Sequence, residues 1–330
     1  MSTTVAIVGL GGLGMLQARA LDELDEVELV GGADVAESGR DEYETAFGGP
    51  TYADFETLYD EAAPDAVTIV TPHTLHYEQV KAAFERDIHV HVEKPLVTTV
   101  AHADELIAMA DERDLVFQVG YQRHFHPAYR EMARLVEDGE LGRVHMASCH
   151  LAQDWISGQE GTWRANPELS GGGQLIDSGS HLLDVLLWIT DGTPAEVAAL
   201  TDHWDHDVDV NSALSARLET PTGDVIASIG VSGDGHAFEE GLTIWGTEGM
   251  LEYRDGTLTV AVDGRPTYSA SPSGEGYHES TKGKLGSFVD AIQTGSASPV
   301  PAEFGRRVTC LTEAAYIAAE EGRTVDATQL

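Results

Sequence analysis

Short, β-branched apolar runs recur through the first third of the chain, each followed by a stretch whose apolar positions return every three or four residues. Val5–Val8, Val27–Gly31, Ala66–Val70, Ile88–Val92 and Val116–Val119 are the runs; Leu13–Glu23, Phe55–Glu61, Thr74–Glu85 and Val100–Arg113 are the helical stretches. Apolar runs without polar alternation predict strands buried on both faces, as in a parallel sheet. Their alternation with helices predicts a doubly wound α/β domain ending near Gly120. Beyond it the period changes. Pro127–Asp138 predicts a helix opened by proline, Arg143–Leu151 a strand, and Ser180–Thr190 a helix closed by Asp191-Gly192. Glu196–Trp204, Ala213–Thr220, Val225–Val231, Leu242–Gly246, Met250–Tyr253 and Leu258–Val262 are β-rich, with turn pairs at Asp255-Gly256 and Asp263-Gly264. Such spacing predicts hairpin-connected, mostly antiparallel strands. Leu285–Thr294 and Glu303–Glu321 return to helix, while Ser157–Gly173 and Ser269–Gly276 read as loops.

A length of 330 residues and 42% apolar composition suit two domains with sizeable cores. The charge changes the picture more: 56 acidic residues face 19 basic ones, a formal net charge of −37. The lysines are Lys81, Lys94, Lys282 and Lys284 alone. Such a surface repels nucleic acid and anionic membranes, so neither is expected as a partner. The acids are spread, as in Asp22-Glu23, Asp25-Glu26 and Asp111-Glu112, which indicates a solvated surface and no acidic tail. The composition resembles that of proteins from halophiles, whose cytoplasm holds molar salt; at ~1 M the Debye length is about 3 Å. Cys149 and Cys310 form no paired motif and are expected as buried thiols. The opening Met1-Ser2-Thr3-Thr4-Val5 enters a strand directly, without the pattern of a signal peptide, and no apolar run is long enough for a membrane span. A cytoplasmic protein is expected.

Candidate chemistry begins at Gly9-Leu10-Gly11-Gly12-Leu13-Gly14, a G-x-G-x-x-G between a strand and a helix. Gly9 permits the tight turn, Gly11 lets backbone approach a pyrophosphate, and Gly14 allows close helix–strand packing; the amides of Gly12 and Leu13 open the helix toward the anion. Asp34 follows Gly14 by 20 residues, at the end of the second strand. An acid there takes ribose hydroxyls and repels a 2′-phosphate, so NAD is preferred. Arg40 lies six residues on and offsets part of that repulsion, which leaves NADP open. Lys94, in Glu93-Lys94-Pro95, directly follows an apolar strand, where ligands of doubly wound sheets lie. The plain alternative is a surface lysine, in a chain that has few. Asp177, His181 and Asp184 are spaced i, i+4, i+7 and share one face if a helix begins near Asp177. The alternative is a capping Asp177 and a satisfied buried His181. His203-Trp204-Asp205-His206-Asp207 has metal-binding residue types but reads better as a wet loop, and no metal is expected.

In order, these motifs resemble the glucose–fructose oxidoreductase/inositol dehydrogenase (Gfo/Idh/MocA) family over nearly the whole chain. The resembling segments are Gly9–Gly14, Thr71-Pro72-His73-Thr74-Leu75-His76, Glu93-Lys94-Pro95, Gly120-Tyr121-Gln122-Arg123-His124-Phe125-His126-Pro127, Gly171-Gly172-Gly173 through Asp177, His181 and Asp184, and Glu321-Gly322-Arg323-Thr324-Val325. The resemblance implies an α/β Rossmann domain plus an α+β domain with a large, mostly antiparallel sheet. We draw the boundary as 1–122 and 123–330. It implies a homodimer or homotetramer through that sheet. It implies Lys94, Asp177 and His181 as the catalytic set, with Thr71, Pro72, His73, His76 and Glu93 beside the nicotinamide half of the cofactor. His73 departs from the asparagine that many members carry. Gln122 and Arg123 are implied to face the cleft, and the Trp155 and Trp163-Arg164 segment to line the substrate side.

The residues suit hydride transfer between NAD(P) and a secondary hydroxyl of a sugar, polyol or inositol. An imidazole such as His181 is a natural general base, Lys94 can stabilise alkoxide charge, and Asp177 can hold a second hydroxyl or orient the imidazole. Arg123, Arg164, Trp155 and Trp163 suit a small polyhydroxylated substrate. Two other readings stay open: an NAD-using glycoside hydrolase working by oxidation, elimination and reduction, and a non-catalytic, cofactor-sensing regulator.

Overall fold

The structure of the protein, a computed structural model, describes residues 2–272, 274 and 276–330. Met1 and two positions of the expected 269–276 loop, Ser273 and Glu275, lie outside the described residues. Along the chain come β1 (Thr3–Val8), α1 (Gly12–Asp22), β2 (Val27–Ala33), α2 (Glu37–Phe47), β3 (Thr51–Tyr52), α3 (Phe55–Ala62), β4 (Ala66–Ile69), α4 (His76–Phe84), β5 (His89–Val92), α5 (Val100–Glu112) and β6 (Phe117–Val119). Then follow α6 (Pro127–Glu137), β7 (Val144–Asp154), α7 (Ile156–Gln159), α8 (Pro167–Ser170), α9 (Ser180–Thr190), β8 (Thr193–Asp202), β9 (Asn211–Glu219) and β10 (Val225–Ser232). The chain closes with β11 (Asp234–Gly246), β12 (Gly249–Arg254), β13 (Thr257–Val262), β14 (Tyr268–Ala270), α10 (Tyr277–Thr294), α11 (Ala302–Glu321) and β15 (Val325–Asp326). The chain divides into two compact units, 2–97 with 101–122 and 276–305, and 98–100 with 123–274 and 306–330.

In the first unit all six strands are parallel, in the order β3-β2-β1-β4-β5-β6. The order reverses between β1 and β4, and the turns after β1, β2, β4 and β5 emerge at one carboxyl edge, where such sheets bind ligands. Sequence patterning missed α2 and β3. Only Tyr43 of α2 is buried, so the helix shows no apolar stripe, and β3 has two residues. The single cut at residue 122 assigns 276–305 to the second domain, whereas that segment packs with the first unit. Leu285, Phe288 and Val289 of α10 share one buried cluster with Val5, Ile7, Ala18 and Leu21. Burial of that face, more than sequence proximity, decides where the segment belongs.

The second unit is built on a nine-stranded sheet, β14-β13-β12-β11-β7-β10-β9-β8-β15. Every neighbouring pair is antiparallel except β7 with β10. Register puts Leu214, Ile229, Cys149 and Leu242 in one buried row. The next residues along point the other way: Leu200, Ala213, Gly230 and His150 form one row, and Arg217, Ile226 and Met146 another. Leu200 is 75% exposed, and Ile226 and Met146 are also exposed. Helix α9, buried along most of its length, packs on β7 and α6. The expected 157–173 loop carries α7, a 3-10 turn at Trp163–Ala165 and α8, the last opened by Asn166 and Pro167. Their brevity hides them from any periodic signal. Among the described residues no helix is long and apolar enough to cross a membrane, and Cys149 and Cys310 are buried thiols.

Candidate active site

The glycine turn joins β1 to α1. A Cβ on Gly14 would lie 1.8 Å from the Gly9 carbonyl oxygen, so only glycine permits that packing. On Gly11 or Gly12 a Cβ would meet nothing within 4 Å. The packed side of the turn is filled and the outer side is open. No side chain caps the start of α1, whose first amides therefore remain available to an anion. Asp34, at the end of β2, accepts hydrogen bonds from Leu10 N (2.7 Å) and Ala36 N (2.8 Å), which turn its carboxylate toward the glycine loop. Arg40 donates to the carbonyls of Asp34 (2.6 Å) and Val35 (3.2 Å). This arrangement fits a dinucleotide: open backbone for the pyrophosphate and an acid beside it for a ribose.

The turns after β4 and β5 are tied together by His76, whose Nε2 lies 3.0 Å from Thr71 O and Nδ1 2.9 Å from Pro95 O. Burial pushes its pKa below the usual imidazole range. Thr71 donates to Gln79 Oε1 (2.5 Å), Pro72 precedes a 3-10 turn, and His73 is buried in that turn with its ring 6.1 Å from His76. Glu93 is buried and accepts from Gln17 Nε2 (2.5 Å), from Lys284 Nζ and from Lys94 N (3.3 Å). Lys94 is half-buried, and its bond to Pro95 is cis. Gln122, also half-buried, opens a 3-10 turn after β6.

In the second unit the Gly171–Gly173 segment leads into a π-turn, Leu175–Gly179, closed by Gly179 N donating to Gln174 O (2.8 Å). Asp209 holds this segment. Its Oδ1 accepts from Gly173 N (2.6 Å) and Tyr316 OH (2.7 Å), its Oδ2 from Leu175 N (2.9 Å), and its carbonyl from Gln174 N (2.9 Å). A Cβ on Gly173 would sit 2.0 Å from Asp209 O, which explains the glycine there. Asp177 emerges from the π-turn, where Oδ2 accepts from Trp155 Nε1 (2.8 Å) and lies 3.2 Å from Arg164 Nε. The Arg164 guanidinium stands 4.3 Å from the Trp163 ring centre. His181 is half-buried in the first turn of α9.

Two expectations change here. The α-helix begins at Ser180, so Asp177 belongs to the wider π-turn and the i, i+4, i+7 face is not formed as anticipated. Asp184 is buried against His124, with Nε2 3.0 Å from Oδ1, and the His124 ring stacks on Trp188 at 4.0 Å. Arg123 commits its guanidinium to Glu240 as a buried, two-pronged pair, with Tyr129 OH also donating to Glu240 (2.8 Å). Among the described residues no group of three His, Cys, Asp or Glu side chains is arranged to hold a metal ion.

Two family models match in succession. One, described as an oxidoreductase family with an NAD-binding Rossmann fold, covers residues 3–121; the other, the GFO/IDH/MocA C-terminal domain, covers residues 129–252. The chain belongs to the Gfo/Idh/MocA family. Among curated relatives, D-xylose 1-dehydrogenase [NADP(+)] of Haloarcula marismortui is 30% identical over 61% of this chain and 56% of its own. D-xylose 1-dehydrogenase (NADP(+)) 2 of Haloferax volcanii is 29% identical over 97% of this chain and 98% of its own. A solved aldose-aldose oxidoreductase from Caulobacter crescentus, complexed with glycerol, superposes with a TM-score of 0.85 at 25% identity, covering 99% of this chain and all of that one.

This Gfo/Idh/MocA chain also carries site-supporting residues that patterning missed. Asp209 stands two residues beyond the His203–Asp207 stretch, and Tyr316 lies within the 303–321 helical pattern, so neither is marked by a motif of its own. The run of glycines was the available signal: three together imply neighbours that leave no room for side chains.

Proposed function

We propose that the chain is an NAD(P)-dependent dehydrogenase that moves hydride between nicotinamide and a secondary hydroxyl of a small sugar, polyol or inositol. The observation that carries the reading is the second-unit pair, Asp177 braced by Trp155 and Arg164 with His181 one turn on, in a chain whose first unit carries a nucleotide cradle. Bound NAD(P) would supply the hydride acceptor, held by Gly9, Gly11, Gly12, Leu13 and Gly14 at the pyrophosphate, by Asp34 at the adenine ribose, and by Thr71, Pro72, His73, His76, Glu93, Lys94 and Gln122 toward the nicotinamide. On the protein side, His181 takes the hydroxyl proton onto its imidazole. The Lys94 ammonium donates to the same oxygen and stabilises its growing charge. Asp177 accepts from a neighbouring hydroxyl and keeps the substrate in register. Arg164 and Trp163 line the substrate side, Arg164 fixed by both Asp177 and the indole face. Arg123, held by Glu240, also faces the substrate side.

NAD is the preferred cofactor in this reading, because the Asp34 carboxylate faces the glycine loop where a 2′-phosphate would meet it. The exposed rows on the nine-stranded sheet support a homodimer or homotetramer through that face, since Leu200, Ile226 and Met146 stand out among small residues. A halophilic source accords with the net charge of −37 and with the two haloarchaeal relatives. We assign the cytoplasm, a compartment in which buried thiols persist.

The test is a panel of sugars, polyols and inositols assayed for NAD and NADP reduction side by side in molar KCl. Reduction of NAD in preference to NADP, by at least one polyhydroxylated substrate, is the expected result. Cofactor binding without reduction of either nucleotide by any of them would point to the sensing regulator instead.

A further inference from the structure

Among four lysines in the chain, Lys284 is buried, 3% exposed, in the apolar face of α10 beside Leu285 and Phe288. Its Nζ donates to Glu93 Oε1, the oxygen that also accepts from Gln17. The other oxygen, Oε2, accepts from Lys94 N. Gly120 closes over the carboxylate so tightly that a Cβ would lie 2.9 Å from the carboxyl carbon and both oxygens. Beneath it, Gln17 accepts from Thr68 Oγ1 (2.8 Å), which lies 2.7 Å from His91 Nδ1. Gln118 Nε2 in turn donates to the Lys284 carbonyl at 2.9 Å.

A buried ion pair is an expensive way to join a helix to a sheet, and apolar residues of similar volume often do as well or better. What the charge adds here is an ionised carboxylate with one oxygen spare for the Lys94 amide. We propose that Lys284 is a positioning residue of the active site: it holds Glu93 against the Lys94 backbone and so fixes the turn that carries the Lys94 ammonium. The inference rests on the role given to Lys94 under Proposed function.

The electrostatics agree. Burial works to raise the Glu93 pKa, but Lys284, with help from His91 and Lys94, overrides it and leaves a value of about 2. His91 itself is driven down to about 3 by burial and by Lys284, so it is neutral at ordinary pH and cannot replace the lysine. His76, the other titratable group facing Glu93, is also shifted down by burial. Without Lys284 the desolvated carboxyl is opposed by Lys94 alone, and its pKa rises into the working range.

Lys284→Met should therefore show two opposite pH trends. Its deficit in kcat should grow as pH falls from 9 to 6, because a protonated Glu93 has one acceptor fewer; up to ~10²-fold is expected for a misplaced group, with KM nearly unchanged. Its deficit in Tm should shrink over the same fall, because protonation relieves a lone buried charge. In Glu93→Gln/Lys284→Met neither trend has a carboxyl to report, and both should vanish. Should Lys284→Met fail to fold, Lys284→Gln keeps a donor toward Glu93 without the charge and is read in the same way. A folded variant with wild-type kcat, with a deficit independent of pH, or with trends that survive in the double variant overturns the proposal. NADH titrated into the wild-type protein, followed by fluorescence, separates the two readings: no binding there would remove the proposed function itself, whatever Lys284 does.

Discussion

In the proposed mechanism His181 is the base and Lys94 the hydrogen-bond donor, and substitution separates the two roles. Once a substrate is in hand, His181→Ala should lower kcat by ~10²–10⁴-fold and remove the acidic limb of its pH profile, while NADH affinity stays near wild type. Near-normal turnover with an unchanged profile would exclude His181 as the base. These residues were legible in the sequence because each stands where its type is unusual: a lysine in a lysine-poor chain, a histidine after three glycines. Their partners were not. Glu240 lies far from Arg123 in the chain, and Lys284 farther still from Glu93, so no spacing announces either pair. Arg123 illustrates the point: its carboxylate partner, Glu240, is found only once the chain is folded.

At the level of elements, the π-turn Leu175–Gly179 departs from anything a regular period can indicate. One extra residue per turn re-aims Asp177, and such turns often occur at functional sites. Its shape depends on Asp209, which satisfies the amides of Gly173, Gln174 and Leu175 with side chain and backbone together. Gly173→Ala should push that grip apart, because its Cβ would fall inside the Asp209 carbonyl contact. We expect the variant to lose ~10²-fold in kcat, with cofactor binding retained, since the glycine turn and Asp34 belong to the other unit. Wild-type turnover in Gly173→Ala would show that the segment tolerates movement. Strands β1, β4 and β5 were readable because both of their faces are buried; α2 was not, having a single buried residue.

Taken as a whole, the molecule carries 56 acidic residues against 19 basic ones, a net charge of −37. Self-repulsion should therefore limit stability wherever screening is weak. We predict that Tm rises steadily from low to molar KCl; a Tm that does not change would contradict this. The six-stranded sheet presents a second consequence. Its core takes in Leu285, Phe288 and Val289, which lie far along the chain from the strands they cover. A fragment stopping at Gln122 leaves Leu21, Val5 and their neighbours bare and should aggregate on expression, whereas the same fragment joined through a flexible linker to residues 276–305 should remain soluble. During synthesis the ribosome makes these strands first and their cover much later. In the interval the nascent sheet must wait, partly uncovered, for a helix that has not yet left the exit tunnel.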